Sequence, residues 1–196
     1  MKGQTIVRKA NRREMLKLSG MGVVGGVAAG ALAPSKAQAA DPDFNISYAS
    51  WIHGHSMQIE YADRIANVWR AGFYIRIEGK PGTSNWFHFA VPTPVIIDDV
   101  RLRIDSAMLR FRTGSIDAYV REVAIYDGEK LIADHKNLHL AEWNSLARLV
   151  VPDRPPVLWG IGISIGVSFG VEMMSHRMEF HSAGCDFTLR EPEPLP

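Results

Sequence analysis

The chain of 196 residues is 46% hydrophobic and 22% charged, which is enough apolar material for one domain with a substantial core. Residues 1–39 hold seven of the 22 lysines and arginines and one of the 21 acidic residues, so residues 40–196 carry a formal charge of −5. This balance excludes nucleic acid and anionic lipid as partners, because both require clustered basic side chains. The single cysteine, Cys185, excludes an intramolecular disulfide, and its parity with Phe187 predicts a buried thiol.

Residues 1–39 have the three regions of an export signal. A basic segment precedes a Gly- and Ala-rich apolar stretch from Leu18 to Leu32, and Ala37 to Ala39 offer the small residues that a signal peptidase needs. The apolar stretch falls short of the roughly 20 strongly apolar residues of a membrane span. We therefore predict a cleaved signal and no stable membrane span after cleavage.

The segment from Asn11 to Lys17, NRREMLK, resembles the twin-arginine (Tat) export signal, with Met15 at the position where Phe is commonest. This resemblance covers residues 1–39 only. It implies that the protein is exported folded, with the Tat machinery as a partner, and becomes periplasmic or secreted.

From Phe44 onward, short runs of alternating apolar and polar residues are separated by turn signals, and no long amphipathic helix is indicated. Lys80-Pro81-Gly82-Thr83 and Tyr126-Asp127-Gly128-Glu129 are typical of tight turns. Changes of parity near Ser106 and at Arg121-Glu122 predict bulges. The predicted strands are 45–52, 56–61, 65–69, 73–78, 85–91, 100–111, 118–126, 146–151, 159–171 and 177–181.

The longest alternation runs from Trp159 to Val171. Its odd-numbered residues are bulky and apolar and are predicted to fill a core, whereas its even-numbered residues are only Gly and Ser. G-x-S-x-G occurs twice there, around Ser164 and Ser168, but uninterrupted strand periodicity is the wrong context for a nucleophile elbow. We read both serines as members of a bare face that another sheet, a subunit or a flat ligand could approach.

These features predict an all-β fold: a single-domain antiparallel β-sandwich of jelly-roll type, or a closely related β-barrel, over residues 40–190. A long hairpin built from 159–171 and 177–181 is expected to close it. Residues 191–196, EPEPLP, are predicted to be a frayed tail.

One candidate site is metal-binding. His53 and His55 lie one residue apart, so on an extended chain their rings point the same way and can meet at one divalent transition metal. With Glu60, the pattern resembles the first motif of the cupins, a metal-binding β-barrel family, and the resemblance implies His53, His55 and Glu60 as ligands. The second cupin motif has no full counterpart, since Lys80-Pro81-Gly82 with His88 is only loosely similar. The alternative is a turn at Gly54 with both histidines exposed or hydrogen-bonded.

The other candidate site is aromatic. A set of aromatic residues lies in the first half of the mature chain, and a polar turn precedes Trp86. The set is Trp51, Trp69, Phe73, Tyr74, Trp86, Phe87 and Phe89. Aromatic platforms flanked by polar groups suit the stacking of sugar rings or other flat ligands, whereas core packing is the competing explanation for any single Trp. The predicted ligand-binding residues are Trp51, Trp86, His88 and Asn85.

The stretches SWIHG and PGTSNWFHFAVPTP resemble bacterial exported proteins of unknown function. The sequence thus predicts an exported, soluble β-sandwich that binds a small ligand or a protein partner through an aromatic surface. Two alternatives are a small metal-dependent periplasmic enzyme using the His-x-His site, and a homo-oligomeric structural subunit that packs through its bare face.

Overall fold

A computed structural model describes residues 46–141 and 145–189. The predicted signal sequence and the Pro-rich tail lie outside the described residues. Within the described ranges, no helix is long and apolar enough to cross a bilayer.

The described residues form β-strands joined by turns and two single-turn 3-10 helices, Gly54–Ser56 and Ala62–Arg64. The strands are β1 (Tyr48–His53), β2 (Gln58–Ile59), β3 (Ile65–Ala71), β4 (Tyr74–Gly79), β5 (Thr83–Val91), β6 (Ile96–Ile97), β7 (Val100–Arg101), β8 (Arg103–Thr113), β9 (Ala118–Asp127), β10 (Lys130–His135), β11 (Ser145–Val150), β12 (Ile161–Phe169) and β13 (Arg177–Thr188).

Two antiparallel sheets stack against each other. The six-stranded sheet has the order β11-β8-β13-β4-β3, and β1 pairs with the second half of the long strand β13. The five-stranded sheet has the order β10-β9-β12-β5-β2, and β6 and β7 form a small separate ribbon. The predicted antiparallel β-sandwich is therefore confirmed.

The core lies between the two sheets and is built from the inward parity of every long strand. Burying six phenylalanines and many β-branched side chains supplies the main driving force for folding, at roughly 25 cal/mol per Å² of apolar surface. The fully buried aromatic residues are Phe87, Phe89, Phe111, Phe169, Phe180 and Phe187. Cys185 is buried among them as predicted, and burial raises the pKa of its thiol.

Strand β12 keeps the predicted alternation, but it is shorter than the pattern suggests. Its residues Ile161 to Phe169 put their odd-numbered side chains in the core, whereas Trp159 and Val171 are 74% and 72% exposed. The Asp127 carboxylate accepts hydrogen bonds from the backbone N–H groups of Leu158, Trp159 and Gly160 at 2.7 to 2.9 Å. These bonds hold the chain outside the ladder, so the strand begins only at Ile161.

The two predicted turns are present, with φ of +71° at Gly82 and +58° at Gly128. The bulges are also confirmed: Arg121 is skipped in the pairing of β9 with β12, and Asp105 is skipped in the pairing of β8 with β13.

The predicted closing hairpin is wrong. β12 belongs to the five-stranded sheet and β13 to the six-stranded sheet, so the segment between them crosses from one sheet to the other. β13 also continues to Thr188 instead of ending near His181. Alternation indicates which face of a strand is apolar, but it does not indicate which sheet the strand joins.

Candidate ligand-binding site

The bare face of β12 forms the floor of a groove on the outer surface of the five-stranded sheet. Cross-strand register sets Ser164 between His88 of β5 and Ala124 of β9, and Gly166 between Trp86 and Glu122. The small side chains of the central strand lie beside Trp86 and His88 on β5 and beside Glu122 and Tyr126 on β9, an arrangement that makes a shallow depression. We call this depression the groove; its residues are Gln58, Glu60, Trp86, His88, Glu122, Tyr126, Gly162, Ser164 and Gly166.

His88 is the polar centre of the groove. Its Nδ1 lies 2.9 Å from Ser164 Oγ and its Nε2 lies 3.0 Å from Glu60 Oε2, so the ring is held at both nitrogens. The His88 and Glu60 side chains are both about one-third exposed. These contacts occupy both ring nitrogens and hold the ring in one orientation, which leaves the oxygen atoms of Glu60 and Ser164 beside it to contact a hydroxyl-bearing ligand.

Glu60 is part of a longer chain of contacts at the edge of the groove. A hydrogen bond from the Tyr61 side chain, followed by the interactions with His88, holds the pKa of Glu60 below its usual value. The same carboxylate raises the pKa of Tyr61, and the Arg64 guanidinium stacks 4.1 Å from the centre of the Tyr61 ring. Glu60 is therefore an ionised acceptor at neutral pH, placed beside a histidine and an aromatic ring.

Trp86 lies over the floor of the groove. A Cβ added at Gly166 would come within 3.2 Å of the far edge of the indole, so glycine lets the ring rest against the strand. The Arg121 guanidinium lies 5.2 Å from the centre of the ring, a cation–π distance. Trp86 is partly buried and its position is fixed on two sides.

Asn85 has a different role from the one predicted. It is fully buried, its Oδ1 accepts from the backbone N–H groups of Tyr61 and Trp86, and its Nδ2 donates to Tyr61 O at 2.7 Å. Asn85 therefore anchors the segment that carries Glu60 and does not face a ligand itself.

Trp51 lies on the opposite side of the sandwich. It belongs to β1, is 41% exposed, and packs over Gly184 on the outer face of the six-stranded sheet. A single surface containing Trp51, Trp86 and His88 is therefore not formed, because the core separates Trp51 from the other two.

The structure brings His53 and His55 together but not with Glu60. The two rings are 4.5 Å apart between centres, and His55 Nε2 lies 2.5 Å from Ala71 O. Glu60 instead contacts His88 in the groove. Among residues 46–141 and 145–189, no three histidine, cysteine, aspartate or glutamate side chains are grouped to hold a metal ion.

Sequence reasoning missed the partners of His88. Ser164 is 76 residues away in the chain, and the register of β5 with β12 brings the two together. The uninterrupted Gly/Ser parity of β12 was the available signal, since it marked a floor, but it did not indicate which side chains flank that floor.

Comparison with known protein families gives one match for the chain. A family model with the description "Family of unknown function (DUF6623)" matches residues 46–189. No curated protein sequence gives a significant match.

Several solved structures resemble the chain at low identity. The xylan binding module CBM86 from Roseburia intestinalis is 9% identical, with 72% of this chain and 96% of that one covered and a TM-score of 0.44. A family 29 carbohydrate binding module from Piromyces equi is 8% identical, with coverage of 70% and 90% and a TM-score of 0.37. A family two carbohydrate esterase from Cellvibrio japonicus is 9% identical, with coverage of 76% and 36% and a TM-score of 0.38. At these TM-scores the likenesses support no inference about ligand or reaction.

Proposed function

The chain belongs to the DUF6623 family, and we propose that its β-sandwich domain binds a saccharide in the groove. The observation that carries the proposal is the His88 ring, held between Glu60 and Ser164 beside Trp86. Sugars present an apolar ring face together with hydroxyl groups that both donate and accept hydrogen bonds. An indole next to fixed polar side chains matches both properties.

The floor supports the same proposal. A Cβ at Gly162 would meet nothing within 4 Å, so the backbone of β12 is open to close approach by a ligand. Gln58 is exposed and lies opposite His88 in the register of β2 with β5, which adds an amide to the same wall. A ligand lying along β12 would touch the indole, the histidine and the amide together.

Acyl transfer is the competing use of these residues, because Ser164, His88 and Glu60 form a hydrogen-bonded row of the types found in serine hydrolases. However, β12 pairs with β5 on one side and β9 on the other, so its backbone N–H groups belong to the ladders. Ser164 thus lacks the backbone oxyanion donors that a nucleophile elbow supplies. We therefore assign the row to binding.

Export belongs to the same proposal. A protein that meets saccharides outside the cytoplasm needs a route across the membrane, and the Tat-like segment in residues 1–39 would supply it. Replacing Arg12 and Arg13 together by Lys should trap an uncleaved precursor in the cytoplasm of a host with the Tat machinery. A cleaved, exported product from that double variant would overturn this part.

The groove is tested with a panel of neutral oligosaccharides, by calorimetry on the domain without its signal. Trp86→Ala should weaken the wild-type affinity for the best ligand at least about tenfold, or about 1.4 kcal/mol. Gly162→Val, whose Cβ would meet no atom within 4 Å, should fill the floor and do the same while leaving the thermal midpoint within a few degrees. The matched control is Trp159→Ala, which removes an exposed indole outside the groove.

Three results would contradict the proposal: no binding to any member of the panel, unchanged affinity in Trp86→Ala, or unchanged affinity in Gly162→Val. Light scattering on the same samples examines the competing idea of self-assembly. A concentration-dependent oligomer that Gly162→Val abolishes would assign the floor to a second copy of the chain instead.

A further inference from the structure

A small cavity opens on the other side of the molecule, on the outer face of the six-stranded sheet. Its volume is about 230 Å³. This is below the roughly 300 to 1,000 Å³ of sites for drug-sized ligands and suits a molecule the size of one sugar ring. The residues lining it are Asn67, Trp69, Arg76, Glu78, Ser175 and Arg177.

A buried carboxylate, Glu179, lies beneath the cavity and binds the arginines around it. Glu179 is fully buried; Arg76 Nε donates to its Oε1 at 2.8 Å, and Arg112 Nε donates to its Oε2 at 2.6 Å. Arg177 Nε lies 3.6 Å from Glu179 Oε1. A carboxylate with no contact to water fixes the orientation of these side chains, because an unpaired buried charge would be costly.

Two arginines and one carboxylate are among the residues that line the cavity. Arg76 and Arg177 are the arginines, both also lie against the buried Glu179, and Glu78 is the carboxylate. Glu78 Oε1 already accepts the backbone N–H of His176 at 2.9 Å. Guanidinium groups pair best with planar oxyanions, which they contact through two parallel hydrogen bonds.

Trp69 supplies a ring-sized apolar wall. Its register partner on β4 is Arg76, so the indole and the guanidinium stand side by side on adjacent strands. Trp69 is 58% exposed, which is unusual for so large an apolar side chain and leaves its face available. Arg76 is itself held by Glu179 and by the Tyr74 hydroxyl, to which its Nη2 donates at 3.0 Å.

We propose that this cavity binds a small ring that carries a carboxylate, such as a uronic acid residue. Arg76 and Arg177 bind the carboxylate, Trp69 stacks on the ring, and Asn67 and Ser175 contact hydroxyl groups. The site lies on the opposite side of the core from the groove, so it is independent of the function proposed above and can succeed or fail separately.

The test is a titration of the domain with glucuronate, glucose and acetate, followed by NMR or calorimetry. Glucuronate should bind at least about tenfold more tightly than glucose or acetate, since only it offers both the ring and the charge. Trp69→Ala should weaken glucuronate binding about tenfold without unfolding the domain, because the side chain is largely exposed. Arg76→Lys keeps the charge beside Glu179 but loses the planar fork, and should also weaken binding.

Trp159→Ala and Trp86→Ala are the controls and should leave glucuronate affinity unchanged, the second because it lies in the groove. Three outcomes would overturn the proposal: no saturable binding of glucuronate, equal affinity for glucose and glucuronate, or unchanged affinity in Trp69→Ala. If Arg76→Lys fails to fold, Trp69→Ala alone decides the question.

Discussion

The two outer faces of the sandwich are built over the same core but in different ways. The five-stranded sheet has a floor of Gly and Ser, and its carboxylate Glu60 is partly exposed. The six-stranded sheet buries Glu179 and Asp105, each bound by arginines, and it also buries Asp186. The ion pairs of the six-stranded sheet are therefore expected to stabilise the folded state, whereas the partly exposed Glu60 and His88 side chains of the groove should contribute little to stability.

Because of this difference, truncating a carboxylate should cost more stability on the six-stranded face than on the five-stranded face. Truncating a carboxylate on the six-stranded face leaves guanidinium groups without their partner in a desolvated setting. On the five-stranded face, water can replace a lost partner, because exposed ion pairs contribute only about 0 to 1 kcal/mol. Stability should thus depend on one face, and groove binding on the other.

The largest effect is expected from Glu179→Ala. This change should lower the free energy of unfolding by about 3 kcal/mol, the lower end of the range for breaking a buried ion pair, because the arginines keep some access to water. Urea unfolding followed by Trp fluorescence measures it. The matched change on the other face, Glu60→Ala, should cost less than about 1 kcal/mol. Equal losses of unfolding free energy in Glu179→Ala and Glu60→Ala would contradict the proposed difference between the two faces.

Glycines on the two faces give the next test. A Cβ at Gly184 would lie 2.6 Å from Ser50 O and 2.6 Å from the Trp51 ring, so Gly184→Ala must push β1 away. We expect a loss of about 2 kcal/mol, as for other overpacked sites. Gly162→Ala meets no atom within 4 Å and should instead stabilise the strand by about 0.5 kcal/mol. Thermal unfolding of both variants decides this; a destabilised Gly162→Ala would mean that the floor is not open.

Most of the fold could be predicted from sequence because it depends on local patterns. Alternation located the strands, and parity changes located the bulges at Asp105 and Arg121. The turn residues Gly82 and Gly128 have the positive φ that their sequences predicted. The partners of β12 and β13 could not be predicted, since both strands alternate alike and sheet membership depends on contacts distant in sequence.

The candidate site was only partly predictable for the same reason. Trp86 and His88 were predicted as ligand-binding residues, and the register of β5 places them on one face. Glu60 was predicted as a metal ligand, but it contacts His88 instead of His53 and His55. Trp51 was grouped with Trp86 and His88 by closeness in the chain, but β1 joins the other sheet. Asn85 was chosen as a polar neighbour of Trp86, yet alternation along β5 turns it inward.

The smallest expected effect is on the loss of stability at acidic pH. It compares Asp117, which is bound mainly by backbone N–H groups, with Glu60, which is bound by side chains. Asp117 Oδ2 accepts from the backbone N–H groups of Met173 and Glu172 and contacts His176 Nε2 at 3.1 Å, which fixes the loop carrying Ser175 at the rim of the cavity. The backbone N–H of Met173 is the main cause of the lowered pKa of Asp117.

A lowered pKa means that this contribution to stability is complete above the unfolded-state pKa of about 3.9 and is lost as the pH falls through the folded-state value. Asp117→Asn should therefore flatten the fall in unfolding free energy below about pH 4, while changing its slope little near neutrality. Glu60→Gln should also flatten this fall in unfolding free energy, but by less, because the partners of Glu60 in the groove are exposed side chains that water can replace.

Urea unfolding of the wild type and both variants at a series of acidic pH values measures the slopes. A steeper fall in Asp117→Asn than in the wild type would contradict the assignment of the loop to this carboxylate.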